Sequence, residues 1–267
     1  PVHGGQLGAL WQPSELVIIG GAALGALTIA NPLSVTKRVF GGFGMLLKGA
    51  KYKKEHYLAL FAVMYELLSI ARKEGMMGLE RVIEDPDKSE IFKKYPNFTK
   101  NHHATSLLAD TLKVLLTGAV EDHHLSEILD LDLEQQHEEA MAVPHALNKV
   151  SDAMPGFGIV AAVLGVIITI GSLGGAPEGV GEKVAAALVG TFLGILLSYG
   201  IMGPMGSAME ARIKAEHAYM ACIRTALLSF ARGDSPMTSV EFARRNIEPH
   251  ERPTFSDLEA LTKKKPA

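Results

Sequence analysis

The sequence has a single cysteine, Cys222, so an intrachain disulfide framework and a CxxC metal site are both excluded. Its charges nearly balance, with 26 Lys and Arg against 29 Asp and Glu, and no basic patch interleaved with aromatics indicates a nucleic-acid partner. No Ser-His-Asp or Cys-His arrangement stands out, so we expect neither an enzyme nor a bound cofactor. The paired histidines His102-His103 and His123-His124 lack the i, i+4 spacing of a metal-binding helix face.

Two long stretches, residues 156–172 and 184–203, contain no Asp, Glu, Lys, Arg or His. The apolar runs that contain them are each about 20 residues long, which is the length that an α-helix needs to cross a bilayer. The connector 177–182 is too short to hold a domain, so this region predicts a transmembrane helical hairpin. Gly190 and Gly194 form a G-x-x-x-G pair, a spacing that permits close helix contact.

A shorter apolar run, residues 16–29, reaches the length of a membrane span if its polar ends lie at the interfaces. The alternative is a buried helix of a soluble domain. Lys and Arg cluster just after this run and are absent before it, which places the following segment on the cytoplasmic side. The predicted order is a periplasmic loop (1–13), a transmembrane helix (14–32), a cytoplasmic helical domain (33–153), a transmembrane helix (154–176), a periplasmic connector (177–182), a transmembrane helix (183–204), and a cytoplasmic helix and tail (205–267).

The cytoplasmic part is predicted to be helical, because apolar residues recur at spacings of three and four and no alternating strand pattern of useful length occurs. Gly75 is expected to end the first long helix, and an acidic helix is expected to end before Pro144. A capping box is predicted at Ser256 and Glu259. The fold class is therefore an all-α membrane protein with a helical cytoplasmic domain.

Pro155 and Pro204 lie at the same predicted border of the membrane, on two helices that are expected to pack together. Proline kinks a helix, so the pair either forms a hinge layer or simply marks two helix ends. Thr191 lies in the middle of its span and either bonds back to its own helix or lines a wet path. Because these spans carry no ionisable group, a conducting protein would need a partner to supply the titrating carboxylate.

Mixed charges are dense between residues 72 and 84. They form either a solvated helix end or a surface that steers and orients a partner. The residues concerned are Arg72, Lys73, Glu74, Glu80, Arg81 and Glu84.

Several blocks of the sequence resemble the MotA family, the A subunits of the bacterial flagellar stator. They run in a consistent order from near the start of the chain almost to its end. The blocks are 6–20 (QLGALWQPSELVIIG), 75–81 (GMMGLER), 89–92 (SEIF), 154–163 (MPGFGIVAAV), 189–196 (VGTFLGIL) and 251–255 (ERPTF).

The resemblance implies a proton-driven torque generator of the bacterial inner membrane. In that family, five A subunits are understood to surround two MotB-type subunits, each with one span that bears an essential aspartate and a peptidoglycan anchor. Proton passage past this aspartate moves the A ring, whose cytoplasmic parts push on the rotor protein FliG. Proton rather than sodium coupling follows from similarity to the proton-type members. The family has a further span before the region of Gly4-Gly5, and we expect that span to be missing from this sequence.

Residue roles carry over by matching motif. The resemblance assigns rotor contact to Arg72 and Glu80, and it assigns the conformational role to Pro155 and Pro204. It also places Ala162 and Thr191 along the ion path. The alternatives are a TolQ/ExbB-type energy transducer of the cell envelope, which has three spans and an outside N-terminus, and a membrane scaffold that conducts no ion.

Overall fold

The computed structural model describes residues 10–46, 52–86, 88–118, 121–171 and 178–263, and these residues form helices and turns without a strand. The all-α fold class is confirmed. Most of the predicted loop 1–13 and the first residue of the connector 177–182 lie outside the described residues. The helices are α1 (Pro13–Ala30), α2 (Leu33–Leu46), α3 (Lys54–Ile83), α4 (Glu90–Lys94), α5 (Pro96–Thr99), α6 (His102–Leu116), α7 (Asp122–Gly171), α8 (Glu178–Leu197), a π-helical turn (Ser198–Met202), α9 (Gly203–Ala231), α10 (Pro236–Arg245) and α11 (Phe255–Lys263).

Three stretches of helix in the described chain are long and apolar enough to cross a membrane. They lie in α1, in the second half of α7, and in the segment that begins in α8, with mean hydropathies of 1.6, 2.3 and 1.6. Large aliphatic side chains such as Val160, Ile167 and Leu188 are more than half exposed on these helices. Exposed apolar surface of this extent requires lipid or a partner chain to cover it.

The chain divides into two compact units. The first unit consists of Pro1–Gly49 and Glu139–Ala211, and the second consists of Ala50–Glu138 and Arg212–Ala267. In the first unit, α1 buries Ile19, Ala23 and Leu27, which follow one another at a spacing of four and so share one helix face. That face packs into an apolar cluster with residues of α7.

The second unit has its own core, built on α3, α6, α7 and α9. The long helix α3 supplies the fully buried Leu60, Phe61 and Leu67 at the predicted helical spacing. At Gly75 the backbone leaves the helical conformation with a φ of 75°, a region that favours glycine. The predicted stop at Gly75 is confirmed, and helical structure resumes after it as far as Ile83.

Two predictions about helix ends were wrong: the end before Pro144 and the capping box of the last helix. α7 continues through Pro144, because Val143, Ala146 and Leu147 on the neighbouring turn are buried in the core of the first unit. Packing of these side chains outweighs the one hydrogen bond that Pro144 removes. The helix also runs through Pro155, so that proline does not mark a helix end.

The capping box at the last helix lies earlier than predicted. Asp257 accepts from the Thr254 N–H at 2.7 Å, and the Asp257 N–H donates to Thr254 Oγ1 at 3.2 Å. Thr254 precedes α11 directly, whereas Ser256 already lies inside the helix. Thr254 and Asp257 have the same spacing as Ser256 and Glu259, and the sequence pattern does not distinguish the two pairs.

Candidate functional site

The predicted hairpin helices approach each other at glycines. A Cβ built on Gly158 of α7 would stand 2.8 Å from the carbonyl oxygen of Gly190 and 3.1 Å from Cα of Gly194. A Cβ built on Gly194 would stand 2.9 Å from Cα of Gly158. The separations of 2.8 and 2.9 Å are shorter than a carbon side chain allows, so only glycine lets the two backbones meet. The G-x-x-x-G pair therefore packs α8 against α7, as its spacing predicted.

Ala162 and Thr191 are brought to this seam from opposite helices. A Cβ on Gly158 would stand 3.3 Å from Cα of Thr191, and a Cβ on Gly190 would stand 3.4 Å from the backbone nitrogen of Ala162. Both residues are half-buried in the single chain. The structure therefore places the two residues expected along the ion path beside the same pair of glycines.

The hydroxyl of Thr191 differs from other threonine hydroxyls on the membrane helices. Thr28 Oγ1 donates to the carbonyl of Leu24 at 2.9 Å, and Thr169 Oγ1 donates to that of Gly165 at 2.7 Å. Within the described part of the chain, the Thr191 hydroxyl takes part in no such bond. A hydroxyl that is not committed to its own helix can bind water or an ion.

Two buried serines join the helical turns that precede Pro155 and Pro204. Pro155 lacks the N–H that would bond to the carbonyl of Ser151 in a regular helix, and the Ser198 hydroxyl donates to that carbonyl instead, at 2.7 Å. The Ser151 hydroxyl donates in return to the Ser198 carbonyl at 3.0 Å. Ser198 opens the π-helical turn that ends two residues before Pro204. Irregular turns of this kind occur frequently at functional sites.

Sequence reasoning missed this serine pair. The position of Pro155 does indicate that the carbonyl of Ser151 needs another donor, because proline removes the bond to the residue four before it. The identity of that donor depends on which face of α8 meets α7, and the sequence does not contain that information.

Glu15 was also missed. It is only 4% exposed, and it lies one step of four before Ile19 on the buried face of α1. The sequence predicts that the polar start of this span lies at the interface and that the spans hold no ionisable group; the buried Glu15 in α1 corrects the second prediction. The spacing of four was the available signal, because it puts Glu15 on the same face as the buried apolar residues.

Arg72 and Glu80 flank the break at Gly75, and both are exposed. The Arg72 guanidinium donates to the carbonyl of Gly233 at 3.2 Å. The Glu80 carboxylate makes no hydrogen bond or ion pair with any residue in the described ranges. The two charges thus lie on a short surface segment that contains two glycines and the exposed Met77.

Comparison with known families agrees with this architecture. Residues 1–75 match the family described as Motility protein A N-terminal, and residues 99–221 match the MotA/TolQ/ExbB proton channel family. Motility protein A of Salmonella typhimurium is 38% identical over 256 residues, which cover 96% of this chain and 87% of the relative. Motility protein A of Escherichia coli gives the same values. Chemotaxis protein LafT of Vibrio parahaemolyticus is 36% identical, covering 96% of this chain and 90% of the relative.

Two solved structures share the fold. The chain superposes on a subunit of C. jejuni MotAB with a TM-score of 0.75 at 19% identity, covering 95% of this chain and 91% of that one. It superposes on a subunit of the flagellar MotAB stator complex from Bacillus subtilis with a TM-score of 0.69 at 23% identity, covering 97% and 91%. The extent of the match to the curated relatives, with the membrane helices and glycine seam, establishes that this chain belongs to the motility protein A family of MotA/TolQ/ExbB-type channel proteins.

Proposed function

We propose that this chain is the stator subunit of a bacterial flagellar motor and that it forms a proton channel with a MotB-type single-span subunit. Proton flow through this channel drives torque on the rotor protein FliG. The complex lies in the inner membrane, where several copies of the chain, five by analogy with the family, surround the partner. Lipid covers the remaining aliphatic faces of the spans. The transported ion is H⁺, and no cofactor takes part.

The observation that carries this proposal is the uncommitted hydroxyl of Thr191 beside Ala162 at the glycine seam. A half-buried hydroxyl on an otherwise apolar wall offers one weak ligand for water or an ion without holding it tightly. The hairpin helices carry no ionisable residue in the apolar stretches on either side of this point. The aspartate of the partner therefore supplies the charge that the ion needs.

Torque requires that events in the membrane change the shape of the second unit. The two prolines, the π-helical turn and the serine pair supply a place where α7 and the α8–α9 segment can change their bend together. The exposed charges Arg72 and Glu80 supply the contact with the rotor, because mixed charges orient a partner without burying large apolar area.

The test is ion flux in sealed vesicles that contain this protein with its single-span partner, with the partner carrying Asp→Asn, or alone. A proton gradient and a sodium gradient are applied in parallel. We expect proton flux only with the partner whose aspartate is intact, and we expect Thr191→Val to lower it. Thr28→Val is the matched control, because the Thr28 hydroxyl already bonds to its own helix.

An assembled and unplugged complex that passes neither ion would favour the membrane scaffold. Flux that follows the sodium gradient alone would support a channel function with Na⁺, and not H⁺, as the transported ion. A chain that restores envelope energy transduction, but not motility, would favour the TolQ/ExbB-type alternative.

A further inference from the structure

Glu15 is an ionisable side chain inside the first membrane helix, and its surroundings are apolar. Its side chain is buried together with those of Ile19, Ala23 and Leu27 on one face of α1. The oxygen Oε2 has no hydrogen-bond partner among the residues that the structure describes. The carboxyl group is therefore buried within the protein.

The carboxyl group faces the same seam as the residues of the expected ion path. A Cβ built on Gly190 would stand 2.7 Å from Glu15 Oε2, 3.4 Å from Cβ of Ala161 and 3.4 Å from the backbone nitrogen of Ala162. Gly190 is the residue before Thr191. Because Gly190 has no side chain, the carboxyl group of Glu15 occupies the space beside it. α1 therefore places a titratable group against α8 at Gly190.

Within the described ranges, Glu15 takes part in no ion pair. In α8 the charged residues are Glu178, Glu182 and Lys183, all in its first six positions. The second half of α7, from Pro155 to Gly171, carries none. In α2, Lys37 and Arg38 are exposed and follow the opposite end of α1 from Glu15. Burial without a cation beside it is unfavourable for a carboxylate and far less so for the neutral acid.

We propose that Glu15 is a second proton-binding site of the channel, which exchanges its proton with the ion path through the seam at Gly190 and Ala162. This rests on the function proposed above. When water or a carboxylate of the partner reaches the seam, the acid releases H⁺ to it and becomes a carboxylate. The same oxygen then takes up H⁺ from the path, so each exchange breaks and forms one O–H bond only.

Release and uptake are tied to the packing of α1 on α8. The charged form is stable only when the seam admits water, and the neutral form is stable when the seam is closed. Proton binding at Glu15 thus favours the closed seam, and proton release favours an open one. Proton binding at Glu15 is thereby coupled to how closely α1 packs on α8.

The experiment uses the full chain with its partner in vesicles and measures proton flux as a function of pH. We expect Glu15→Gln to lower flux on the order of a hundredfold, the lower end of what one positioned proton-transfer group contributes. The variant should also remove one titration step from the pH profile, and Glu15→Asp should retain that step at a shifted pH. Glu138→Gln, which changes an exposed carboxylate of α7, is the control and should leave flux and profile unchanged.

Infrared difference spectra give a second readout that does not depend on flux. The wild-type complex should show a neutral carboxylic acid band that disappears on alkalinisation, and this band should shift in Glu15→Asp and be missing in Glu15→Gln. If Glu15→Gln does not assemble, the band and its shift in Glu15→Asp decide the matter. A normal pH profile in Glu15→Gln, or the absence of any titrating band that depends on Glu15, would overturn the site. Absence of flux in the wild type would instead count against the channel itself.

Discussion

Ser151 and Ser198 exchange hydrogen bonds, with each hydroxyl donating to the backbone carbonyl of the other residue. Both residues are almost fully buried, at 3% and 0% exposure. The carbonyl of Ser151 is available because Pro155 has no N–H to donate to it. The carbonyl of Ser198 accepts a second bond from the N–H of Gly203, across the π-helical turn. The turn of α7 before Pro155 and the π-helical turn before Pro204 are therefore held to each other.

Replacing Ser198 by alanine should leave the Ser151 carbonyl buried without a donor. We expect the free energy of unfolding of the purified complex to fall by about 1–3 kcal/mol, the cost of an unsatisfied buried polar group. Thermal unfolding measures this loss. Ser151→Ala should cost less, because it removes only the bond from the Ser151 hydroxyl to the Ser198 carbonyl, and that carbonyl keeps the bond from the N–H of Gly203.

Ser207→Ala is the control for the serine variants, since Ser207 is exposed on the next helix. An effect of Ser198→Ala that does not exceed that of Ser207→Ala would contradict the pairing.

Pro155→Ala should restore an N–H opposite the Ser151 carbonyl, in competition with the hydroxyl of Ser198. We expect the helix to straighten and the torque of motors that contain the variant to fall, while membrane insertion is retained. Rotation of tethered cells measures torque, and fractionation measures insertion. Failure of insertion would make Pro155 a folding residue and remove the hinge from the mechanism.

Gly194→Ala should separate the hairpin helices. The new Cβ would stand 2.8 Å from the carbonyl oxygen of Met154 and 2.9 Å from Cα of Gly158, and backbone atoms cannot move aside as a flexible side chain does. We expect a loss of about 1–3 kcal/mol and a lower yield of assembled complex on size-exclusion chromatography. Gly156→Ala should be tolerated, because no atom outside its own helix lies within 4 Å of the new Cβ.

Charge reversal at Glu80 should weaken docking to the rotor without affecting the subunit. The Glu80 carboxylate has no partner in the described chain, so Glu80→Lys removes no internal contact. We expect a loss on the order of 2 kcal/mol in rotor binding, from repulsion in place of attraction, and reduced torque with normal assembly. Titration of the complex with purified FliG measures the binding.

Arg72→Glu should show the same loss of torque together with a small structural effect, because Arg72 also donates to the Gly233 carbonyl. Arg72→Gln retains a donor and separates the two contributions. Lys100→Glu, at an exposed position on another part of the second unit, serves as the control.

Loss of assembly in Glu80→Lys would count against a docking role.

The attachment of α11 should depend on pH through Asp257. A hydrogen bond from Lys54, followed by bonds from Thr254, lowers the pKa of Asp257 from 3.8 to about 2. A lowered pKa means that the unfolded chain binds the proton first, so this contribution is complete above about pH 4 and is lost as the pH falls towards 2. We expect proteolysis of the C-terminal segment to increase over this window.

Asp257→Asn should give the same increase in proteolysis at neutral pH. Ser256→Ala should have no effect, because Ser256 does not cap the helix. The reverse result would restore the capping box at Ser256 and Glu259.

Much of the architecture follows from local pattern. Helical periodicity, the stretches without charge and the break at Gly75 depend on neighbouring residues, so the sequence predicted the all-α class and three membrane-capable helices. The G-x-x-x-G pair likewise predicted a close contact, because small residues are the condition for one. Pro144 shows the limit of this reasoning: a proline removes one bond locally, but burial of Val143, Ala146 and Leu147 decides whether the helix continues.

The sequence alone thus determined which segments are helical, which can enter a membrane, and which stretches contain no charged residue. Tertiary structure decided which groups meet. It brought Ser198 to the carbonyl that Pro155 left open, and it set Glu15 against Gly190 at the seam that also holds Ala162 and Thr191. These contacts join residues far apart in the chain, and they depend on the rotation of each helix about its axis, which only the packing of the whole unit determines.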